Sequence, residues 1–302
     1  MTGNVQVRRA WRSLLFVPGN QARLLAGAAK RGADAVVVDL EDSVPEAQKS
    51  TARDGFAAAL ARNEWHDCDL LVRINNLPDR CEADVMAAIQ AGANGIVVPK
   101  AEDADSLNRF SDLLGKAEKG CGRASGATVL VPLVETPGGL FRLREIAAAA
   151  RVAAIAFGDE DLALALGCSV ESSTLATYKH MLIVAAAEAG CQPLGLGASI
   201  TQFGDLQVFR AGAMAARSWG MTGAFCIHPA QAAVLNEVFA PSEEEVEHAR
   251  NIIRHFETGN RNGHGAVAYN GTMIDWPVAA RAFRILELAG STQSRALCGT
   301  GR

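Results

Sequence analysis

Reactive side chains recur directly after short apolar runs in this chain. Asp39-Leu40-Glu41-Asp42 follows Ala35–Val38, Arg73 and Asn75 end Leu71–Asn75, and Lys100 follows Val97-Val98-Pro99. Glu135 follows Val129–Val134, Asp161 follows Ile155–Phe157 through Gly158-Asp159-Glu160, and His228 closes Phe225–Ile227. A ring of carboxylates with one Arg and one Lys suits a divalent metal holding an anionic substrate. Mg²⁺ takes hard oxygen ligands and keeps several waters, so one or two carboxylates from neighbouring strands suffice. Such a metal can act as a Lewis acid on a substrate carbonyl, and Arg can grip a carboxylate with two parallel hydrogen bonds.

Each residue also has a structural reading. Asp159 or Glu160 can cap a helix at Leu162–Leu166, and Asp42 can cap the next segment or pair with Lys49 or Arg53. Lys100 can be a solvated loop charge, and His228, before Pro229, a structural histidine.

The elements that must position these groups alternate. Strand-like runs lie at Leu14–Val17, Ala35–Leu40, Leu70–Ile74, Gly95–Val98, Thr128–Val134, Ala153–Phe157, Gln192–Leu196 and Ala224–Ile227. Several are almost wholly apolar, as parallel strands covered on both faces should be. Between them Gln21–Lys30, Gln48–Ala61, Ala83–Ala91, Ala104–Lys116, Leu140–Ala149 and Leu175–Ala189 carry helical spacing. Eight strands with intervening helices predict a (β/α)₈ barrel, whose reactive groups sit at the C-terminal strand ends. The seventh strand is weakest, because Gly195 and Gly197 dilute it. An open doubly wound sheet is the alternative, although no GxGxxG follows the first strand.

Barrel and extension divide at about residue 240: residues 12–240 form the catalytic domain, 241–291 a helical extension, and 292–302 a disordered tail. Lys116–Ala127 reads as a surface loop. Pro229–Phe239 and Pro241–Thr258 read as helices, Gly259–Gly271 as a loop, and Trp276–Ala289 as the last helix.

Composition narrows the partners. The 302 residues are 49% hydrophobic and 21% charged, with a net charge of −4. No long basic run invites nucleic acid or an anionic membrane. The N-terminal stretch lacks a signal-peptide pattern, and no run approaches a membrane span. The 7 cysteines are scattered without a CxxC pair, which points to reduced thiols in a cytoplasm.

The ordered motifs resemble one family. Arg12-Ser13-Leu14-Leu15-Phe16-Val17-Pro18-Gly19-Asn20 and Asp34–Val44 resemble the opening of citrate lyase β-subunit-like proteins of the HpcH/HpaI aldolase group. Val72-Arg73-Ile74-Asn75, Gly95–Lys100, Val134-Glu135-Thr136-Pro137-Gly138-Gly139, Phe157–Leu162, Cys226–Gln231 and Gly271–Pro277 continue the match in order, over roughly residues 12 to 290. The resemblance implies a barrel of the phosphoenolpyruvate-binding type that cleaves or forms a bond between an acyl thioester and a 2-oxo acid. It implies Mg²⁺ held by Glu135 and Asp161, the latter rather than Asp159. Arg73 and Glu135 would then contact substrate, with Lys100, Pro137 and Arg23 as further contacts. Asp275 would be the acidic residue of a C-terminal lid, in a homotrimer or a hexamer; its structural alternative is a helix N-cap before Trp276-Pro277.

Two basic positions usual in the family are missing. Gly27 and Ala28 stand where a Lys follows the first motif, leaving Arg23 and Lys30 as the nearby basic residues, and Ala224 stands before Ile227-His228-Pro229. The expected activity is therefore a lyase of the citryl-, malyl- or citramalyl-CoA type, with the acyl group on CoA, on an acyl carrier protein or as a free acid. A malyl-CoA-type thioesterase and a partner-dependent subunit of a citrate lyase-like complex are the alternatives.

Overall fold

The computed structural model describes residues 10–61, 65, 67–201 and 203–299. The apolar runs form eight strands: β1 (Ser13–Pro18), β2 (Ala35–Asp39), β3 (Asp69–Arg73), β4 (Gly95–Val98), β5 (Val129–Val134), β6 (Ala154–Phe157), β7 (Gln192–Leu194) and β8 (Ala224–Cys226). They pair in parallel in the order β7-β6-β5-β4-β3-β2-β1-β8. A parallel bridge between Leu194 and Gly223 brings the outer strands together and closes the barrel.

Side chains alternate between two apolar layers, as a period of two demands. Ala35 and Val37 of β2, with Val129, Val131 and Leu133 of β5, fill the barrel interior. Val36, Val38, Leu130 and Val134 pack outward into the layer shared with the helices.

The seventh strand is short for two physical reasons. Pro193 has no amide to donate, and the Gly197 N–H donates instead to Gly212 O at 3.1 Å. Gly212 belongs to a helix at Leu206–Trp219 that was not among the sequence expectations. A Cβ on Gly197 would lie 2.8 Å from that same carbonyl oxygen, so the glycine permits the close approach of helix and strand end.

Several helix bounds differ from expectation. Gln21–Lys30 divides at Gly27 into Ala22–Leu25 and a 3₁₀ turn at Ala28–Arg31, while Leu140–Ala149 becomes Pro137–Leu140 and Leu143–Ala147. The helix from Ala104 runs through Gly120, so only the first part of the expected surface loop is helical; its amphipathic face continues through Ala117 and the buried Glu118.

Trp11–Phe239 forms one compact unit, and the chain from Ala240 onward belongs to a second. Within that unit a helix at Glu243–Arg261 starts on a Ser242/Glu245 capping box and has three glutamates in its first turn. An antiparallel hairpin of β9 (Val267–Tyr269) and β10 (Thr272–Ile274) takes up the last part of the expected loop. Its turn is Asn270-Gly271, both at positive φ, the pairing favoured in two-residue hairpins. The last helix spans Trp276–Gly299, so the expected tail from 292 is helical as far as Gly299. Among the described residues no helix is long and apolar enough to cross a membrane.

Candidate active site at the barrel mouth

Continuing the inward alternation by two residues carries Val37 to Asp39, Leu71 to Arg73 and Leu133 to Glu135. Strand register sets Asp39 directly opposite Arg73. The guanidinium donates from Nε to Asp39 Oδ1 at 2.7 Å and from Nη2 to Oδ2 at 2.6 Å. Its Nη1 lies 3.1 Å from Glu41 Oε2 and 3.5 Å from Asp42 Oδ2, and its carbon sits 4.8 Å from the centre of the Phe16 ring. Burial pushes the Asp39 carboxyl up, but Arg73, the Ser43 side chain and the Glu41 amide outweigh it and hold the carboxyl below its usual range. Asp42 thus pairs with Arg73; Lys49 instead donates to the carbonyls of Leu40 and Glu41, and Arg53 reaches Asp84.

Glu135 is the central buried acid, 3% exposed. Its Oε1 accepts the Lys100 N–H at 2.8 Å. Lys100 adopts φ +50°, an uncommon conformation for a side-chain-bearing residue, and this turns its amide toward the acid. Its ammonium reaches Glu41 Oε1 at 2.5 Å and lies 3.9 Å from Glu135 Oε1. Burial, then the charges of Glu41 and Asp161, push Glu135 up to about 7, against the opposing pull of Lys100.

Gly158 packs against Glu135, and a Cβ there would stand 2.6 Å from Glu135 Cβ and 3.0 Å from Oε2. Gly158→Ala is therefore expected to displace the carboxylate, lowering kcat on the order of 100-fold with a small change in melting temperature. Steady-state kinetics beside a thermal melt would check this; unchanged kcat would show that the displacement does not matter.

Gly158 is also the N-cap of the helix Asp159–Leu166, whose first turn holds Asp159, Glu160 and Asp161. The expected capping role of Asp159 or Glu160 is thus taken by Gly158, and the acids complement the positive helix end. Asp159 is pinned by an ion pair to Lys179, which is 2% exposed and lies 5.5 Å from the Phe157 ring centre. Burial raises Asp159 to about 6 in spite of Lys179. Glu160 accepts the Ser199 hydroxyl.

A cavity of about 350 Å³ opens at this end of the barrel. Arg73, Asp42, Glu135, Asp159, Glu160 and Asp161 line one part of it. Phe16, Leu133, Phe157, Leu196, Ile200, Ala224, Phe225 and Ile227 supply the apolar part. Glu135, Asp161 and Arg73, singled out in sequence, thus meet in one space. Among the described residues, Lys100, Pro137 and Arg23 do not line it: Lys100 is tied to Glu41, Pro137 opens the helix Pro137–Leu140, and Arg23 is exposed on Ala22–Leu25.

His228 is structural. Its Nδ1 accepts the Ala230 N–H in a capping box completed by Gln231. Asn75 is structural too, since its side chain bridges Leu40 O and Asp84. In the second unit, Asp275 accepts the Val278 N–H at 3.3 Å, the N-cap geometry anticipated as its structural role.

Two carboxylates beside one cavity, one driven up to about 7 partly by the other's charge, form an all-oxygen donor set with excess negative charge. That chemistry fits a hard divalent cation whose remaining positions go to water or substrate. No cluster of three or more His, Cys, Asp or Glu able to hold a metal occurs among the described residues, so the fit is to a sparsely liganded ion.

A parallel barrel with acids and an arginine at its C-terminal mouth has the layout of barrel enzymes in general. The HpcH/HpaI aldolase/citrate lyase family matches residues 12–229, and the chain belongs to that family. It is 35% identical over 288 residues to the citrate lyase subunit beta of Escherichia coli K12, covering 93% of this chain and 94% of that one. It is 32% identical over 286 residues to the L-malyl-CoA/beta-methylmalyl-CoA lyase of Cereibacter sphaeroides, covering 87% of this chain and 90% of that one. Among solved structures it resembles the protein CitE of Mycobacterium tuberculosis in complex with magnesium, acetoacetate and coenzyme A. That likeness has a TM-score of 0.71 and 28% identity, over 92% of this chain and 97% of the other.

Proposed function

We propose that the protein is a Mg²⁺-dependent carbon–carbon lyase acting on a 3-hydroxyacyl thioester of the citryl-, malyl- or citramalyl-CoA type, or running the reverse condensation. The observation that carries this is the convergence of Glu135, Asp161 and Arg73 on one cavity. The named lyases among its relatives and the magnesium and coenzyme A bound to a related structure support it.

Glu135 and Asp161 would hold the ion. When bound, Mg²⁺ would supply Lewis acidity toward the oxygens of the reacting carbonyl. Arg73 is anchored along its Nε–Nη2 edge by Asp39, with Nη1 shared by Glu41 and Asp42, so the fixed guanidinium at the cavity would orient the oxo-acid carboxylate and polarise the carbonyl formed on cleavage. The Lys100 amide fixes one oxygen of Glu135 and sets the direction of the other. Phe16, Leu133 and Phe157 exclude water, which strengthens each of these interactions and disfavours hydrolysis of the thioester.

Proton transfer is assigned to the Asp275 carboxylate, because Gly271–Pro277 resembles the family's C-terminal lid motif: it would take the proton of the substrate hydroxyl as the carbon–carbon bond breaks and return it to the departing acyl carbon. Asn caps helices as well as Asp does. Asp275→Asn is therefore expected to leave the melting temperature unchanged and lower kcat on the order of 100-fold or more. Undiminished turnover would reduce Asp275 to its N-cap. A homotrimer or hexamer in the cytoplasm completes the proposal, and light scattering of the purified protein tests the assembly.

The activity itself is tested by incubating the protein and Mg²⁺ with a panel of hydroxyacyl-CoA thioesters and separating products by mass spectrometry. Paired oxo acid and acyl-CoA support the lyase; free hydroxy acid with CoA would support a thioesterase instead.

A further inference from the structure

The cavity has two chemically different ends. Arg73 is the one cationic residue lining it among the described residues, and it stands at the β2–β3 side. From there an aromatic tier crosses the mouth: Arg73 lies over Phe16, and Phe16 stacks on Phe225 with ring centres 4.7 Å apart. Beyond Phe225 the wall beside β7 and β8 is Leu196, Ile200, Ala224 and Ile227, with Thr201 as its polar member. The acids Glu135, Asp159, Glu160 and Asp161 flank that wall from the ends of β5 and β6. Lys179 is paired with Asp159 and Lys100 with Glu41, and neither is among the residues that line the cavity.

One anionic group can therefore be met at Arg73 and at a cation held by Glu135 and Asp161. A second carboxylate on the same molecule would face an apolar wall bordered by acidic side chains, with no cationic side chain among the described lining residues left to pair with it. Desolvating a carboxylate there is unfavourable, and the flanking acids add repulsion. An alkyl substituent would instead gain by covering Leu196, Ile200 and Ile227.

We infer that the 2-oxo acid handled by this site carries a single carboxylate and an apolar substituent, and that a four-carbon dicarboxylic oxo acid is selected against. This rests on the lyase reading above. The corresponding hydroxyacyl thioester bears an alkyl branch at the hydroxyl carbon where a citryl-type substrate bears a carboxymethyl group.

The test is isothermal titration of the Mg²⁺-saturated protein with pyruvate, 2-oxobutyrate and oxaloacetate, for the natural chain and for Ile200→Arg. In the natural chain 2-oxobutyrate is expected to bind at least 10-fold more tightly than oxaloacetate. Ile200→Arg, which places a cation on the wall, is expected to shift the ratio toward oxaloacetate by a similar factor. Oxaloacetate binding as tightly as 2-oxobutyrate to the natural chain would overturn the inference while leaving the lyase reading intact. Failure of all three acids to bind would remove the lyase reading and this inference with it.

Discussion

Glu135→Gln is expected to abolish turnover and, in metal-free protein at pH 8, to raise the melting temperature. The carboxyl is pushed up to about 7 in the folded chain, above the ordinary glutamate range. The folded state therefore holds that proton more tightly than the unfolded state. Stability contributed by the protonated acid is fully present below pH 4.5 and is lost as pH rises through 7. Gln keeps an acceptor for the Lys100 amide and never ionises. Its advantage should be near zero below pH 4.5, grow between pH 4.5 and 7, and level off above, reaching on the order of 3 kcal/mol. Thermal melts of both proteins from pH 5 to 8 without divalent ions would check this. A parallel pair of curves would mean that Glu135 is not strained by its surroundings.

Lys179→Met is expected to be the most destabilising single change at the site. It leaves Asp159 buried without its cation, and breaking such a pair typically costs about 3–5 kcal/mol. Pairing it with Asp159→Asn removes the orphaned charge, so the double variant should recover most of the loss. Because Asp159 shares a helical turn with Asp161, the single variant should also weaken Mg²⁺ binding. Denaturant titrations of the three proteins give the coupling directly; additive losses would show that the two side chains do not depend on each other.

Much of the barrel was legible in the chain because parallel strands covered on both faces leave long apolar runs ending in polar residues. The same alternation that buries Val129, Val131 and Leu133 delivers Glu135 to the mouth, so strand-end position was informative about the site. What escaped notice was non-local. Lys179 carried no expectation from sequence, although it shares the spacing of the buried Leu175, Leu182 and Ala186. That position on the apolar face was the available signal.

The engagement of Arg73 by Asp39 depends on the register of β2 against β3, which periodicity does not reveal. The close approach of Gly158 to Glu135 depends likewise on how β6 lies beside β5. The hairpin at Val267–Ile274 was different, for its Asn270-Gly271 turn was present in the sequence and outweighed by the loop-like composition around it.

The most direct measurement of the shared-cation claim is Mn²⁺ binding followed by electron paramagnetic resonance, with Mg²⁺ as competitor. The natural chain is expected to sequester one Mn²⁺ per subunit, released by Mg²⁺, with affinity rising as pH climbs toward 7. Glu135→Gln and Asp161→Asn should each lose that site while remaining folded. Retention of the Mn²⁺ signal in both variants would contradict the assignment of these two carboxylates to the ion.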